Sequence, residues 1–146
     1  MSLYLITFSP TGGTKKAADS LAAAFGQHAQ EIDLTVPDTD YSRFSFCAGD
    51  ICVVAVPSYG GRVPAAAVSR LAGMAGNGAK AVLMAVYGNR AYEDTLLELK
   101  ETLVRVGFHC VAAVAAVAEH SVMRQFAAGR PNQEDLEAVE QFGHQI

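Results

Sequence analysis

Hydrophobic positions along the chain recur with two periods, one typical of buried β-strands and one typical of amphipathic helices. Five short apolar runs predict β-strands, at residues 3–8, 29–34, 51–56, 79–86 and 108–117. Every position of the third run is apolar, which predicts a central strand covered on both faces. The second run alternates polar and apolar residues, with Glu31 and Asp33 on one side, and this pattern predicts an edge strand.

Helical spacing predicts helices between and after the strands. They are expected at residues 14–25, after Pro64, at 92–106 and from Pro131 onward, whereas residues 35–49 predict a loop with at most one helical turn. Gly26 suits the C-terminal end of the first helix, because glycine adopts positive φ angles easily. Strands that alternate with helices favour a parallel sheet covered on both faces, in which ligands bind beyond the carboxyl ends of the strands.

The chain has 146 residues, of which 51% are hydrophobic and 18% are charged. This length and composition predict a single domain, residues 1–146, and exclude an intrinsically disordered chain. The formal charge of -4 provides no general attraction for nucleic acid. No apolar run approaches the roughly 20 residues that a membrane-spanning helix needs. Since no basic stretch precedes the apolar start either, we expect no membrane segment, no signal peptide and a cytoplasmic location.

Three cysteines, Cys47, Cys52 and Cys110, are too few and too scattered for a disulfide framework. Their spacing also argues against a zinc or iron–sulfur site within the chain, so no metal ligand is predicted. We expect all three to be buried apolar thiols.

The turn after the first predicted strand, SPTGGT at residues 9–14, places three hydroxyl groups and two glycines before a helix. Glycines let backbone N–H groups converge and the helix dipole favours an anion, so this turn predicts a phosphate site. Its spacing matches neither GxxxxGK nor GxGxxG, and it contains no cysteine nucleophile of the phosphatase kind. A tight turn without a ligand is the alternative interpretation.

Two later turns each place an aromatic ring beside glycine: PSYGGRVP at residues 57–64 and YGNRAY at residues 87–92. Rings on neighbouring loops can cover a flat heterocycle by stacking. A loop tyrosine can equally anchor a surface, but together with the first turn the two loops favour a planar phosphorylated ligand.

The segments FSPTGGTKKAA, PSYGGRVP and VYGNRAYEDTLLELK, in this order, closely resemble flavodoxin-like FMN domains. The resemblance is closest to the N-terminal flavodoxin-like half of certain bacterial flavodoxin–ferredoxin fusion proteins, and it extends to residues 119–121 and 129–131. The ferredoxin half is absent from these 146 residues, so an excised domain and a free-standing protein both stay open.

This resemblance implies a three-layer α/β/α sandwich of the short-chain type, with a five-stranded parallel sheet in the order 2-1-3-4-5. It implies FMN as cofactor. The implied phosphate contacts come from Ser9, Thr11, Gly12, Gly13 and Thr14. The implied contacts to the isoalloxazine ring come from Ser58, Tyr59, Gly60, Gly61, Arg62, Tyr87, Gly88, Asn89 and Arg90. A backbone group near Gly60 or Gly61 would bond the flavin N5 atom.

The implied function is electron transfer, with a ferredoxin-like iron–sulfur domain or another redox protein as partner and with no catalytic side chain. Arg62 and Arg90 depart from the acidic surroundings that flavodoxins commonly give the flavin. If either lies near the flavin N1 atom, it favours the anionic hydroquinone, so Arg62→Ala should lower the potential of that couple. With Arg124 and Arg130 they could also form a basic rim for an acidic partner.

Two functions from other classes stay open at this point. One is a small flavin-dependent NAD(P)H reductase, and the other is an interaction domain of the same fold that binds no flavin. His120 could approach the flavin ring, although a polar loop residue without a ligand role is the simpler interpretation.

Overall fold

The computed structural model describes residues 2–10, 12–25, 28–37, 39–59, 62–87 and 93–117. Its centre is a five-stranded sheet in which all neighbouring strands are parallel. The strands are β1 (Leu3–Thr7), β2 (Ala29–Asp33), β3 (Ile51–Pro57), β4 (Lys80–Tyr87) and β5 (His109–Val117). Their order is β2-β1-β3-β4-β5, which confirms the predicted topology.

The predicted character of the strands also holds. Residues 52–56 of β3 are completely buried, as expected for a central strand covered on both faces. β2 lies at one edge, with Ile32 buried and with Glu31 and Asp33 exposed. β5 runs without a large interruption, although its register against β4 shifts by one residue between Ala81 and Val82.

Three helices are present among the described residues: α1 (Gly13–Ala23), α2 (Ala65–Leu71) and α3 (Glu93–Arg105). α1 ends two residues before its predicted end, because the amides of Ala24 and Phe25 bond back to Leu21 and Ala22 in a tighter turn. The loop at 35–49 contains one short 3-10 turn, Tyr41–Arg43, as expected. Gly26 and the helix predicted from Pro131 onward lie outside the described residues.

The helices cover both faces of the sheet. α1 packs over one face, where Leu21 joins Leu5 and Val53 in a single apolar cluster. α2 and α3 cover the other face, where Leu71 and Leu99 pack in a second cluster. The alternation of side chains along each strand therefore supplies two cores, and the result is a three-layer α/β/α arrangement.

The three cysteines differ from one another in exposure, so the prediction of three buried thiols is wrong in part. Cys52 is buried in β3, and Cys110 is partly buried in β5. Cys47 is exposed in the connection between β2 and β3, where the neighbouring Phe46 takes the buried position.

Within the described ranges, no helix has both the length and the hydrophobicity that crossing a lipid bilayer requires.

Candidate functional site

The three loops that the sequence singled out follow three adjacent strands. β3 lies between β1 and β4, with Thr7 in register with Ala55 and with Pro57 in register with Val86. The strands are parallel, so the loops that leave their carboxyl ends emerge side by side along one edge of the sheet. The direction of strand addition also reverses between β1 and β3, which is where open parallel sheets bind ligands.

Gly12 shapes the first loop. It is the residue before α1 and has φ of +89°, a left-handed conformation that a residue with a Cβ atom adopts only with strain. A Cβ atom at this position would meet nothing within 4 Å. The space beside Gly12 is therefore open to a ligand, and glycine is required there for its backbone angle.

Two side-chain hydrogen bonds hold the loop around Gly12. The Ser9 hydroxyl accepts from the Lys15 amide at 3.0 Å, and the Ser9 amide donates to Thr35 Oγ1 at 3.1 Å. The first bond caps one amide of the first turn of α1, and the second fastens the loop to the end of β2. Ser9 thus has a structural role that its position in a phosphate-binding turn did not by itself reveal.

The start of α1 offers further N–H groups. Within the part of the chain that the structure describes, the amides of Gly13 and Thr14 donate to no acceptor. Such amides at a helix N-terminus are suited to an anion, because the helix dipole adds to their donor capacity. The geometry of Gly12–Thr14 is consequently compatible with a phosphate group.

Lys15 is engaged elsewhere. Its ammonium group bonds Asp19 at 2.7 Å, and it also forms an ion pair with Glu31 of β2. Burial alone would lower the pKa of Lys15, but the hydrogen bonds to Asp19 and Glu31 outweigh that effect and raise it. An anion at the first loop would therefore be bound mainly by backbone amides and hydroxyls.

The second loop forms a closed turn. The Tyr59 amide donates to the Arg62 carbonyl at 2.9 Å, and the Arg62 amide donates to the Tyr59 carbonyl at 3.0 Å. The Ser58 amide donates to the Val86 carbonyl of β4 at 2.9 Å, which fastens the start of this turn to the sheet. Tyr59 is 38% exposed, and partial burial raises the pKa of its phenol.

Two residues of α3 hold the second loop from the other side. Glu98 binds the Arg62 guanidinium at 3.1 and 2.7 Å and accepts from the Val63 amide at 2.8 Å. These hydrogen bonds, that from Arg62 foremost, lower the pKa of Glu98. The Thr95 hydroxyl lies 2.6 Å from the hydroxyl of Ser58, and both residues are buried.

Neither Thr95 nor Glu98 was among the predicted site residues. For Thr95 the sequence did carry a signal, since it is a polar residue on the same helical face as the buried Leu99 and Thr102. Nothing in the spacing of Glu98 marked it, because its partner Arg62 lies 36 positions earlier.

The structure thus describes part of the predicted site: Ser9, Gly12, Gly13, Thr14, Ser58, Tyr59 and Arg62 lie along one edge of the sheet. The other predicted contacts lie outside the described residues, namely Thr11, Gly60, Gly61, Gly88, Asn89 and Arg90. The same holds for His120, Arg124, Arg130 and the side chain of Tyr87.

No family model matches the chain, and no curated protein matches it. Solved structures do match. Flavodoxin 2 from Bacillus cereus has a TM-score of 0.68 at 16% identity, with 98% of this chain and 95% of that chain covered. A flavodoxin from Streptococcus pneumonia TIGR4 has a TM-score of 0.63 at 20% identity, with the same two coverages.

An azoreductase from Bacillus anthracis is also similar, with a TM-score of 0.63 at 12% identity over the whole of both chains. The similar structures therefore include both flavodoxins and an azoreductase. At these identities the matches show the fold, and the fold of this chain is flavodoxin-like.

Proposed function

We propose that this chain binds FMN at the carboxyl edge of β1, β3 and β4 and transfers electrons to and from a redox partner. One observation carries the proposal. Gly12, in a left-handed conformation, leaves open space at the N-terminus of α1, in the loop after β1. The neighbouring strand is β3, and the loop after β3 contains the partly exposed Tyr59. The proposed positions of the phosphate and of the planar ring are thus neighbours at the place where the strand order reverses.

The phosphate of FMN would be held by the first loop. The amides of Gly13 and Thr14 are suited to donate to it, and the hydroxyls of Ser9, Thr11 and Thr14 are the further candidates. Ser9 already accepts from the Lys15 amide, and its hydroxyl hydrogen can point toward an anion. With Lys15 engaged by two carboxylates, this loop would bind phosphate without a lysine.

The isoalloxazine ring would lie between the second loop, Ser58 to Arg62, and the third loop, Tyr87 to Arg90. When bound, FMN supplies the one-electron and two-electron chemistry. The chain itself would orient the ring through Tyr59, shield one side of it from water, and set the charge around it. None of these tasks requires a side chain that exchanges protons with a substrate.

The resemblance to flavodoxin–ferredoxin fusion proteins supports an iron–sulfur domain of the ferredoxin kind as partner. We propose that this electron exchange takes place in the cytoplasm. Because Arg62 is paired with Glu98, we assign the recognition of an acidic partner to the other arginines of the proposed rim, Arg90, Arg124 and Arg130.

Titration of FMN with the purified protein tests the proposal, with flavin fluorescence as the readout. We expect strong quenching at a one-to-one ratio. Riboflavin is the matched control, since it has the same ring without the phosphate, and it should bind at least about tenfold more weakly if charge-assisted bonds hold the phosphate. Equal binding of both ligands would contradict the role of the first loop. Absence of binding would leave the flavin-free interaction domain as the better interpretation.

A small flavin-dependent reductase is the second candidate, favoured by the similarity to the Bacillus anthracis azoreductase. Anaerobic addition of NADH or NADPH to the FMN-loaded protein separates the two candidates. An electron carrier should keep its oxidised absorption spectrum until a partner reductase is added. Rapid bleaching by the nicotinamide alone would favour the reductase.

A further inference from the structure

The second loop is fixed by α3 at two points, and these points lie three residues apart on one helical face. Thr95 contacts the hydroxyl of Ser58, before the turn, and Glu98 contacts Arg62 and Val63, after it. The turn between them is closed by the two backbone bonds between Tyr59 and Arg62. α3 therefore holds both ends of the turn, and at the first end it acts together with the bond from the Ser58 amide to β4.

Glu98 makes two kinds of contact, and they have different consequences. The bond from the Val63 amide fixes the backbone directly after the turn. The paired bonds from Arg62 place a negative charge against the guanidinium of the loop. Arg62 is 67% exposed in its side chain and Glu98 is 23% exposed, so the carboxylate is the more enclosed of the two groups.

We propose that Glu98 is a positioning residue of the flavin site: its carboxylate holds the Tyr59–Arg62 turn and balances the charge of Arg62, and so it sets the potential of bound FMN. This inference rests on the proposed function, because it requires the flavin to lie against the second loop. It extends that function because the residue that positions the second loop lies on α3 and is not one of the predicted loop residues.

Three substitutions at one position separate geometry from charge. Glu98→Gln removes the charge but keeps an oxygen that can accept from Val63. Glu98→Asp keeps the charge but shortens the side chain by one methylene, which withdraws the carboxylate from the Val63 amide. Glu98→Ala removes both. The matched control is Glu101→Gln, which removes an exposed negative charge on the same helix.

Amide hydrogen exchange, measured without flavin, tests the geometry. We expect the Val63 amide to exchange about three- to tenfold faster in E98A and E98D, as the loss of one hydrogen bond implies. In E98Q and in the Glu101→Gln control it should stay within about twofold of the unsubstituted protein. Because E98D keeps the negative charge and removes only one methylene, it serves as the test if E98A does not fold. An unchanged Val63 amide in E98D would overturn the proposal.

Redox titration of the FMN-loaded proteins tests the charge. Removal of the negative charge beside Arg62 should stabilise the reduced flavin, so E98Q should shift the potential upward. The shift corresponds to about a two- to fivefold change in the ratio of the dissociation constants of oxidised and reduced FMN. We expect a smaller shift in Glu101→Gln. Equal potentials in E98Q and the unsubstituted protein would overturn the proposal.

The two measurements also separate this inference from the proposed function. If the unsubstituted protein binds no FMN, the proposed function fails, and with it the assignment of a potential to Glu98. If FMN binds normally but the Val63 amide and the potential do not respond, the proposed function stands and the role of Glu98 is wrong.

Discussion

The hydroxyl oxygens of Ser58 and Thr95 lie 2.6 Å apart in the buried interior, and this contact joins the loop after β3 to the first turn of α3. Either oxygen can be the donor. A buried hydroxyl that loses its partner destabilises the folded state, because the hydrogen bonds that it makes to water in the unfolded chain are then not replaced. The pair therefore links the candidate flavin loop to the core.

Removal of one hydroxyl should destabilise the fold, and removal of both should cost less than the sum. We expect Thr95→Val to lower the free energy of unfolding by about 1–3 kcal/mol, because it leaves the Ser58 hydroxyl buried without this partner. Ser58→Ala should behave similarly. In urea denaturation the double variant should recover about 1 kcal/mol relative to the sum of the single effects. Strict additivity would show that the two hydroxyls do not interact.

Substitution of Gly12 should affect the first loop through its backbone angle alone. Gly12→Ala keeps the space clear, but alanine at φ of +89° costs about 1–2 kcal/mol. We expect this loss in thermal or urea unfolding, together with weaker FMN binding. The control is Gly49→Ala, which also meets open space but has no positive φ, and it should be neutral or slightly stabilising. Equal effects at both positions would contradict the assigned conformation of Gly12.

A different glycine should matter for stability but not for the site. A Cβ atom at Gly76 would lie 2.6 Å from the Phe108 amide nitrogen and 2.7 Å from the Gly107 carbonyl carbon, so the backbone would have to move. We expect Gly76→Ala to cost about 1–3 kcal/mol or more, as overpacking does. Gly73→Ala, whose nearest contacts are 3.6 Å or longer, is the control.

Gly76 contacts the backbone of Gly107 and Phe108 at the amino ends of β4 and β5, at the end of the sheet opposite the candidate site. FMN affinity measured below the unfolding transition should therefore be unchanged in Gly76→Ala. Weakened binding in the folded variant would show that the two edges of the sheet are coupled.

The three thiols should react at different rates with an aromatic disulfide reagent. Cys47 is exposed and should react first. Burial, with the nearby Asp50 as a lesser cause, raises the pKa of Cys52 to about 12, so this thiol should react only on unfolding. Burial also raises the pKa of Cys110, which should react more slowly than Cys47. Cys47→Ser should abolish the fast phase, and a fast phase that persists would contradict the assignment.

The Arg62–Glu98 pair should give the protein a defined acid sensitivity. The hydrogen bonds from Arg62 and Val63 lower the pKa of Glu98 below its ordinary value of 4.5. A lowered pKa means that the folded state favours the carboxylate, so its contribution is complete above pH 4.5 and is lost as the pH falls through the folded value. The stability difference between the unsubstituted protein and E98Q should shrink across that range. A difference that grows on acidification would have the wrong sign.

Much of the fold was accessible from the sequence because the signals are local. The run at 51–56 is apolar on both faces, and a strand with that pattern is stable only when layers cover both sides. The alternation around Ile32 likewise marked an edge strand. For the site, the glycine pair before a helix marked the first loop, and glycine permits the left-handed angle that Gly12 adopts, although the sequence did not specify that angle.

Other features had no local signal. The exposure of Cys47 depends on the path of the connection between β2 and β3, and cysteine as a residue type favours burial. The hydrogen bonds of Ser9 depend on tertiary placement: its hydroxyl accepts from the Lys15 amide, and its own amide donates to Thr35, which follows β2. Residue type and spacing do not encode such positions.

The sequence by itself determined the strands, the order of the layers and which loops carry glycine, hydroxyl and aromatic groups, because hydrophobic period and backbone preference act over a few residues. Only the tertiary structure decided that Glu98 meets Arg62 and that Thr95 meets Ser58. These contacts form between an element and a loop that are distant in sequence, and they depend on how α3 packs against the sheet. The residues that would contact the flavin can be recognised from the sequence around them. The residues of α3 that position the second loop can be recognised only once the packing of that helix is known.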